Sequence, residues 1–107
     1  MNYKDTLFSP LTIGTRTCVN RFFAAPMECC DADADGNPTE LTRARYERLF
    51  NGGYGMICLE AISVTAESLA RRHQLLITPV NAKPLADLVK QMRAANPEPL
   101  FIFQLTH

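Results

Sequence analysis

Apolar and polar residues alternate along some segments and cluster in others, and this pattern predicts most of the secondary structure. Residues 11–19 (LTIGTRTCV) alternate around Gly14, which predicts a hairpin or two bent strands. Residues 22–27 (FFAAPM) form a short apolar run stopped by Pro26. Such a run is typical of a buried strand.

A helix and a second strand are predicted next. Pro38 and Thr39 mark a helix start, and the helix ends at Gly52–Gly53. Its apolar face is predicted to contain Leu41, Ala44, Tyr46, Leu49 and Phe50. Residues 55–64 (GMICLEAISV) begin with a second buried strand, whose apolar character is interrupted by Glu60.

The strongest helix signal lies near the end of the chain. Between Asn81 and Ala95, four apolar residues recur at i, i+3, i+4 and i+7, namely Leu85, Leu88, Val89 and Met92. Asn81 is a candidate cap, and Asn96–Pro97 ends the helix. Residues 100–105 (LFIFQL) are then predicted to form a third strand.

The order of hairpin, strand, helix, strand, helix, strand indicates an α/β fold with parallel strands covered by helices. A doubly wound nucleotide-binding sheet would have a glycine-rich loop after its first strand, but PMECCDADADGNP contains neither GxGxxG nor GxxxxGK[ST]. An α/β barrel instead carries functional side chains at the carboxyl ends of its strands. Glu28, Glu60, Gln104 and His107 fit those positions, so the barrel is favoured.

The chain has 107 residues, whereas a TIM (β/α)8 barrel needs about 250. We therefore expect the amino-terminal part of a single barrel domain that is too short to close. Residues 1–21 are predicted to form a hairpin cap, and residues 22–107 the first three βα units. His107 comes at the end of a predicted buried strand. A polar residue at that position suits a site inside a larger domain better than a chain terminus.

Charge and cysteine content narrow the class of protein. Eleven basic residues balance eleven acidic ones, so neither nucleic acid nor an anionic membrane is an expected partner. The apolar runs are too short to span a bilayer, and the start of the chain has no secretory signal. The four cysteines are therefore expected to be reduced and the protein cytoplasmic.

The segment from Glu28 to Asn37, ECCDADADGN, resembles the opening of a calcium-binding loop, because aspartates at alternate positions precede a glycine. A complete EF-hand loop needs a glutamate at position 12. Counted from Asp31, that position is Thr42, and position 8 is Pro38. A solvated loop with turn-forming aspartates is favoured instead, and no metal site is expected.

Taken in order, LFSPLTIG, VNRF, APM, GMICLEAISV and FQLTH resemble the start of the old yellow enzyme family of FMN-dependent NADH:flavin oxidoreductases. The resemblance covers nearly the whole chain. It implies a barrel that holds FMN at its carboxyl-terminal mouth while the hairpin closes the other end. It also implies that NAD(P)H reduces the flavin, which then reduces an activated C=C bond in an enone, enoate or dienoyl thioester.

The resemblance also assigns site residues by position. Cofactor contacts are expected from Ala25, Pro26, Met27, Glu28, Ala61, Gln104 and His107. Gln104 would hydrogen-bond the pyrimidine edge of the flavin, and Cys30 would contact substrate. Glu28 departs from the family, whose members usually have a small residue there. The catalytic residues of the family lie in later strands, beyond residue 107.

Several alternatives remain open at this point. Arg71, Arg72 and His73 either contact a charged substrate or the phosphate of NAD(P)H, or form a solvated loop. Glu60 either orients neighbours at the barrel mouth or satisfies loop amides. The piece alone is expected to be inactive, and a non-catalytic fragment acting at most as an interaction module is the competing reading. For the full-length form we expect a small-molecule substrate and a homo-oligomer. The sequence does not show whether an iron–sulfur cluster follows; any such cluster would lie in regions beyond this chain.

Overall fold

A three-stranded parallel sheet with two helices packed together beside it forms most of the molecule. The computed structural model describes residues 2–107. Its helices are α1 (Tyr3–Leu7), α2 (Glu40–Phe50) and α3 (Ala82–Ala95), with a short 3-10 helix at Ala66–Ser68, and its strands are β1 (Leu11–Ile13), β2 (Arg16–Cys18), β3 (Phe23–Ala24), β4 (Met56–Ser63) and β5 (Leu100–Thr106). This order confirms the predicted α/β class.

The parallel sheet has the strand order β3–β4–β5. Ala24 of β3 lies opposite Ile57 of β4, and Ile57 lies opposite Phe101 of β5. α2 connects β3 to β4, and α3 connects β4 to β5. The helices and the central strand share one apolar core, whose fully buried members include Phe50, Leu59, Ile62, Leu88 and Met92.

The first predicted strand is much shorter than residues 22–27. Only Phe23 and Ala24 pair with β4, and Phe23 is 46% exposed at the sheet edge. Pro26 has no backbone N–H to donate to a ladder, which favours the early end of the strand. Ala25, Pro26 and Met27, which were predicted to belong to this strand and to contact the flavin, are therefore in a loop.

The amino-terminal part contains the predicted hairpin and one unpredicted helix. β1 and β2 pair antiparallel, and Gly14 occupies the connecting turn with a φ of 59°. The single turn of α1 precedes them, and the Asn2 side chain caps it by accepting from the Lys4 amide. A five-residue helix is too short to show a helical apolar period, so pattern reading missed it.

α2 begins as predicted, with Thr39 as its N-cap. The hydroxyls of Thr39 and Thr42 each accept from the other residue's amide, which makes a reciprocal capping box. The predicted apolar face is partly wrong, because Leu41 is 72% exposed and Ala44 is also exposed. The helix instead buries Thr42, Tyr46 and Phe50, which follow one another at four-residue spacing.

α3 confirms the strongest helix prediction and buries Leu85, Leu88 and Met92. Asn81 is the N-cap residue of α3, as predicted, but its side chain makes no capping hydrogen bond. The side-chain Nδ2 atom of Asn81 donates instead to the Asp35 carbonyl at 3.0 Å and to Asn37 Oδ1 at 2.6 Å. No helix within residues 2–107 is long and apolar enough to cross a bilayer.

Candidate functional site

The predicted site residues lie at the carboxyl ends of the three parallel strands. Residues 25–28 follow β3, Ala61 lies near the end of β4, and His107 follows β5. Ala61 is directly opposite Gln104 on the neighbouring strand. Parallel strands end at the same edge of a sheet, so these residues share one face of the molecule.

A β-bulge sets this register. Cys58 lies opposite Ile102 and Ala61 lies opposite Gln104, so three steps along β4 match two along β5. Glu60 interrupts the apolar character of β4, as predicted, but the strand runs unbroken through it. The extra residue of the bulge lets Glu60 meet α2 while Ala61 stays beside Gln104.

Glu60 lies in the interior rather than at the barrel mouth, and its side chain is fully buried. Its Oε1 atom accepts hydrogen bonds from Arg45 and from the Tyr46 hydroxyl. The Glu60 amide donates back to the Tyr46 oxygen at 2.8 Å. Burial and the adjacent Glu60 charge both raise the pKa of Tyr46 above its ordinary value, so its hydroxyl remains protonated.

Asp31 also pairs with the Arg45 guanidinium that contacts Glu60. Arg45 donates to both Asp31 oxygens at 3.0 Å, and Thr42 donates to Oδ1 at 2.8 Å. Burial alone would raise the pKa of Asp31, but the hydrogen bonds from Arg45 and Thr42 outweigh it and hold the pKa below its ordinary value. Asp31 therefore anchors the loop after β3 to α2.

The other aspartates of the acidic loop have local roles. Asp33 Oδ1 accepts from the amides of Asp35 and Asn37, both at 2.9 Å, in an Asx turn. These bonds to the Asn37 and Asp35 amides lower the pKa of Asp33, although slight burial works against them. Residues 2–107 contain no group of three or more acidic, histidine or cysteine side chains placed to hold a metal ion.

The loop after β4 is joined directly to the loop after β3. Two hydrogen bonds connect Ala32 and His73. The Ala32 amide donates to the His73 carbonyl at 3.1 Å, and the His73 Nδ1 atom lies 2.9 Å from the Ala32 carbonyl. The Leu76 amide donates to the Gly36 carbonyl at 3.0 Å. One side of the His73 ring is therefore engaged in joining the loops.

Gln74 fixes the same loop to β4. Its Nε2 atom donates to the Ala61 carbonyl at 3.1 Å, and its Oε1 atom accepts from the Ala70 amide at 2.8 Å. This places Arg71 beside the loop after β3, where its Nη1 atom lies 3.8 Å from Glu28 Oε2. That Glu28 oxygen is buried and accepts no hydrogen bond from the described residues.

The other residues that were predicted to contact the cofactor or the substrate differ in how exposed they are to solvent. Met27 is 72% exposed, while Ala25, Gln104 and His107 are also exposed. Cys30 is half-buried and has a φ of 51°, a left-handed conformation that is uncommon for a residue other than glycine. All four cysteines have free thiols in the structure.

A polar side chain and a small residue lie side by side at the ends of β4 and β5. The Gln104 amide makes no side-chain hydrogen bond within residues 2–107 and offers two donors and an acceptor. Ala61 beside it is small and mostly buried, so a flat ring can approach the strand ends. The buried Glu28 oxygen would accept a further hydrogen bond, but its charge distinguishes this site from one lined by a small neutral residue.

A comparison with protein family models shows to which family the chain belongs. The family model described as NADH:flavin oxidoreductase / NADH oxidase matches residues 6–102. The chain belongs to this family. The match confirms the resemblance drawn from the ordered motifs.

Solved structures give the same fold. The old yellow enzyme homologue from Zymomonas mobilis is 27% identical, with a TM-score of 0.81 over 95% of this chain and 28% of that one. The old yellow enzyme from Trypanosoma cruzi is 22% identical, with a TM-score of 0.80 over 99% of this chain and 28% of that one. Morphinone reductase in complex with tetrahydroNAD is 22% identical, with a TM-score of 0.80 over 94% of this chain and 27% of that one.

The chain thus spans less than a third of the length of these structures. Its three parallel strands are the first three strands of the TIM barrel, and its sheet is open. The network of Asp31, Arg45, Tyr46 and Glu60 was not predicted from the sequence. The signal that would have pointed to it is a glutamate within an apolar strand, because a buried carboxylate requires a cation or hydrogen-bond donors.

Proposed function

We propose that this chain forms the first part of an FMN site in an NAD(P)H-dependent oxidoreductase that reduces activated C=C bonds. The observation that carries the proposal is the pairing of Ala61 with Gln104 at the carboxyl ends of neighbouring parallel strands. Family membership supports the same activity. FMN, when bound, would accept hydride from NAD(P)H and deliver it to the alkene.

The residues of this chain would bind and orient the ring. The exposed Gln104 amide matches a pyrimidine edge, where a ring N–H lies between two carbonyl groups. Ala61 leaves space for the ring, and Pro26 restricts the backbone of the loop that continues into Met27 and Glu28. His107 would lie close to the ring at the end of β5, and Ala25 would line the first loop.

The substrate side of the proposal rests on Cys30, whose strained, half-buried position is in the loop that carries Met27 and Glu28. Cys30 would contact a small-molecule substrate, and the groups that donate the proton would come from later strands. The complex of morphinone reductase with tetrahydroNAD supports a nicotinamide reductant in this fold. The homo-oligomeric state stays a prediction for the longer form.

The proposal is tested with the complete gene product that contains this chain. It should purify with bound flavin, seen as visible absorbance and identified as FMN after heat release. NADPH or NADH should bleach that absorbance, and 2-cyclohexenone should restore it under anaerobic conditions. A product that neither contains nor binds FMN would overturn the assignment.

A non-catalytic role for the 107-residue chain is the second candidate. This role is favoured because the chain spans only 28% of the length of the Zymomonas mobilis structure. FMN titration of the 107-residue chain, followed by flavin fluorescence, separates the two cases. Retention of FMN by the complete product but not by the short chain would assign the short chain a structural role only.

A further inference from the structure

Arg45 of α2 contacts two residues that each lie next to a predicted site residue. Asp31 directly follows Cys30, and Glu60 directly precedes Ala61. The Nε and Nη2 atoms of Arg45 donate to the two Asp31 carboxylate oxygens, each at 3.0 Å, and Nη2 also donates to Glu60 Oε1. One guanidinium therefore connects the loop after β3 to β4, one residue away from both the predicted substrate contact and the predicted flavin contact.

The bulge in β4 turns Glu60 towards the helices and leaves Ala61 on the other face. Leu59 and Ile62 both belong to the core that the strand shares with the helices, and Glu60 contacts side chains of α2. Side chains alternate between the two faces of a strand, so Ala61, directly before Ile62, faces away from the helices, beside Gln104. The peptide unit that joins Glu60 to Ala61 is planar and rigid, and a shift of Glu60 therefore moves Ala61 as well.

The loop that carries Cys30 has no helix or strand of its own, since residues 25–39 lie between the end of β3 and the start of α2. Cys30 has a φ of 51°, and a left-handed conformation in a residue other than glycine persists only where its surroundings enforce it. The next residue, Asp31, provides that restraint. Its carboxylate is held by Arg45, and its carbonyl accepts from the Thr39 hydroxyl at 2.6 Å.

The Arg45 guanidinium is itself held in one orientation. Its central carbon lies 4.6 Å from the centroid of the Tyr46 ring, and the Tyr46 hydroxyl donates to the same Glu60 oxygen that Arg45 contacts. A planar guanidinium can pair with one carboxylate through two parallel hydrogen bonds and still reach a second acceptor, whereas an ammonium group is a point charge without that geometry. A lysine at this position would therefore not keep the loop and β4 in the same relative position.

We propose that Arg45 is a positioning residue for the reaction. It fixes the distance between Cys30 and Ala61, and thereby the position of the substrate relative to the flavin ring. Arg45 acts through Asp31 and Glu60 rather than by touching substrate or cofactor. This inference rests on the proposed function, which assigns Cys30 to the substrate and Ala61 to FMN.

The test uses the complete, FMN-loaded gene product with 2-cyclohexenone as the substrate. Arg45→Lys keeps the positive charge between the two carboxylates but loses the two-point pairing with Asp31. A substrate contact that is equal in the ground and transition states affects KM, so we expect KM for 2-cyclohexenone to rise about fivefold or more, with a smaller change in kcat. In a Cys30→Ala background, Arg45→Lys should raise KM by less, because the contact through which Arg45 acts is absent.

Two control variants separate this role from a general loss of stability. Arg43→Lys makes the same substitution on the same helix, but Arg43 donates to Gln91 of α3 instead of to the loop, so KM should not change. Leu88→Ala removes a fully buried side chain of α3. It should lower the midpoint of urea unfolding without raising KM.

Amide hydrogen exchange gives a readout that does not depend on turnover. The Ala32 amide donates to the His73 carbonyl between the two loops, and its exchange should become roughly tenfold faster or more in Arg45→Lys, because local opening of the loop requires less free energy. The Leu85 amide donates to the Asn81 carbonyl at the start of α3. Its exchange should stay as in the unmodified protein.

The outcomes separate this inference from the proposed function. If the unmodified product lacks FMN or does not reduce the enone, the proposed function itself is wrong. If the unmodified product is active, an unchanged KM in Arg45→Lys, or an equal rise with and without Cys30→Ala, would overturn the positioning role. If Arg45→Lys does not fold, Asp31→Asn takes its place, because it disrupts the same pairing while the Asp31 carbonyl keeps its contact with Thr39; an unchanged KM there would overturn the role equally.

Discussion

The Arg45 guanidinium donates to Oε1 of Glu60, whose side chain is fully buried. The pair joins α2 to β4 beside the bulge that sets the register of the site strands. Taking a carboxylate out of water costs several kcal/mol unless charges and hydrogen bonds compensate. Arg45 and Tyr46 supply that compensation at Oε1, while Oε2 has no hydrogen-bond partner among the described residues. Arg45 also pairs with Asp31.

We expect Arg45→Met to destabilise the fold by about 3–5 kcal/mol, because it leaves the Glu60 charge buried and unpaired. Urea unfolding followed by circular dichroism measures the change. The double variant Arg45→Met/Glu60→Met removes both charges, and its stability should recover much of the loss.

Lys83→Met is the control for this prediction. Lys83 pairs with Asp87 at 2.8 Å, but the Lys83 side chain is 85% exposed, so its loss should cost less than about 1 kcal/mol. Equal losses for Arg45→Met and Lys83→Met would contradict a special role for the buried pair.

The lowered pKa of Asp31 predicts a pH dependence of stability. Its folded-state pKa lies below its unfolded value of about 3.9, so the stabilisation is complete above that value and is lost as the pH falls through the folded pKa. We expect the free energy of unfolding to decline below about pH 4. Asp31→Asn should show a shallower decline in the same unfolding series, and an unchanged slope would contradict the assignment.

Local patterns were sufficient to predict the hairpin, both long helices, β4 and β5. The spacing of Leu85, Leu88 and Met92 reports directly which side of α3 meets the core. Leu41 shows the limit of this reasoning, because it is apolar yet exposed. Which face of α2 packs inwards depends on the partners of Tyr46 and Thr42, and these come from other parts of the chain.

The candidate site residues were assigned from the ordered motifs, and they stay a prediction; the structure shows that Ala61 and Gln104 are neighbours on adjacent strands. The contacts between the two loops were not predictable. His73 meets Ala32 across 41 positions of sequence, and Asn81 meets Asp35 across 46. Such hydrogen bonds depend on which loops the fold brings together. The periodicity of apolar residues along the chain does not specify this.

Gly36→Ala tests the junction of these loops. Gly36 has a φ of 82°, and an added Cβ would collide with the Cβ of Leu76. We expect a loss of about 2–4 kcal/mol, since backbone strain and overpacking add. Gly53→Ala is the control, because Gly53 has a φ of 88° with no atom within 4 Å of an added Cβ. Its smaller loss in the same thermal or urea unfolding experiment measures the strain alone; equal losses would contradict the collision.

Gln104→Leu tests the proposed pyrimidine contact in the flavin-loaded, full-length protein. Loss of the amide leaves flavin polar groups without partners, at a cost of about 1–3 kcal/mol, or roughly 5- to 150-fold in the FMN dissociation constant. Flavin fluorescence on dilution measures that constant. Gln91→Leu is the control, since Gln91 is on α3 and accepts from Arg43. Unchanged FMN retention in Gln104→Leu would remove Gln104 from the site.

Substitutions of Glu28 and Arg71 test whether the charges of these two side chains change the reduction potential of the bound flavin. The Glu28 carboxylate would disfavour the anionic reduced ring, and Arg71 at 3.8 Å partly offsets its charge. Glu28→Thr should therefore raise the potential of the bound flavin, and Arg71→Ala should lower it. An interaction of about 1.4 kcal/mol corresponds to roughly 30 mV for the two-electron couple. Equilibration of the flavin absorbance with a reference dye measures the shift.

Arg72→Ala is the matched control for this last comparison, because Arg72 is the next residue and is also exposed. It should leave the potential nearly unchanged. In the Glu28→Thr background, Arg71→Ala should lower the potential by less than it does in the unmodified protein, because the charge that it offsets is absent. If Glu28→Thr leaves the potential within about 10 mV at both pH 6 and pH 8, a shift worth less than about 0.5 kcal/mol, Glu28 does not tune the flavin and is not a cofactor contact.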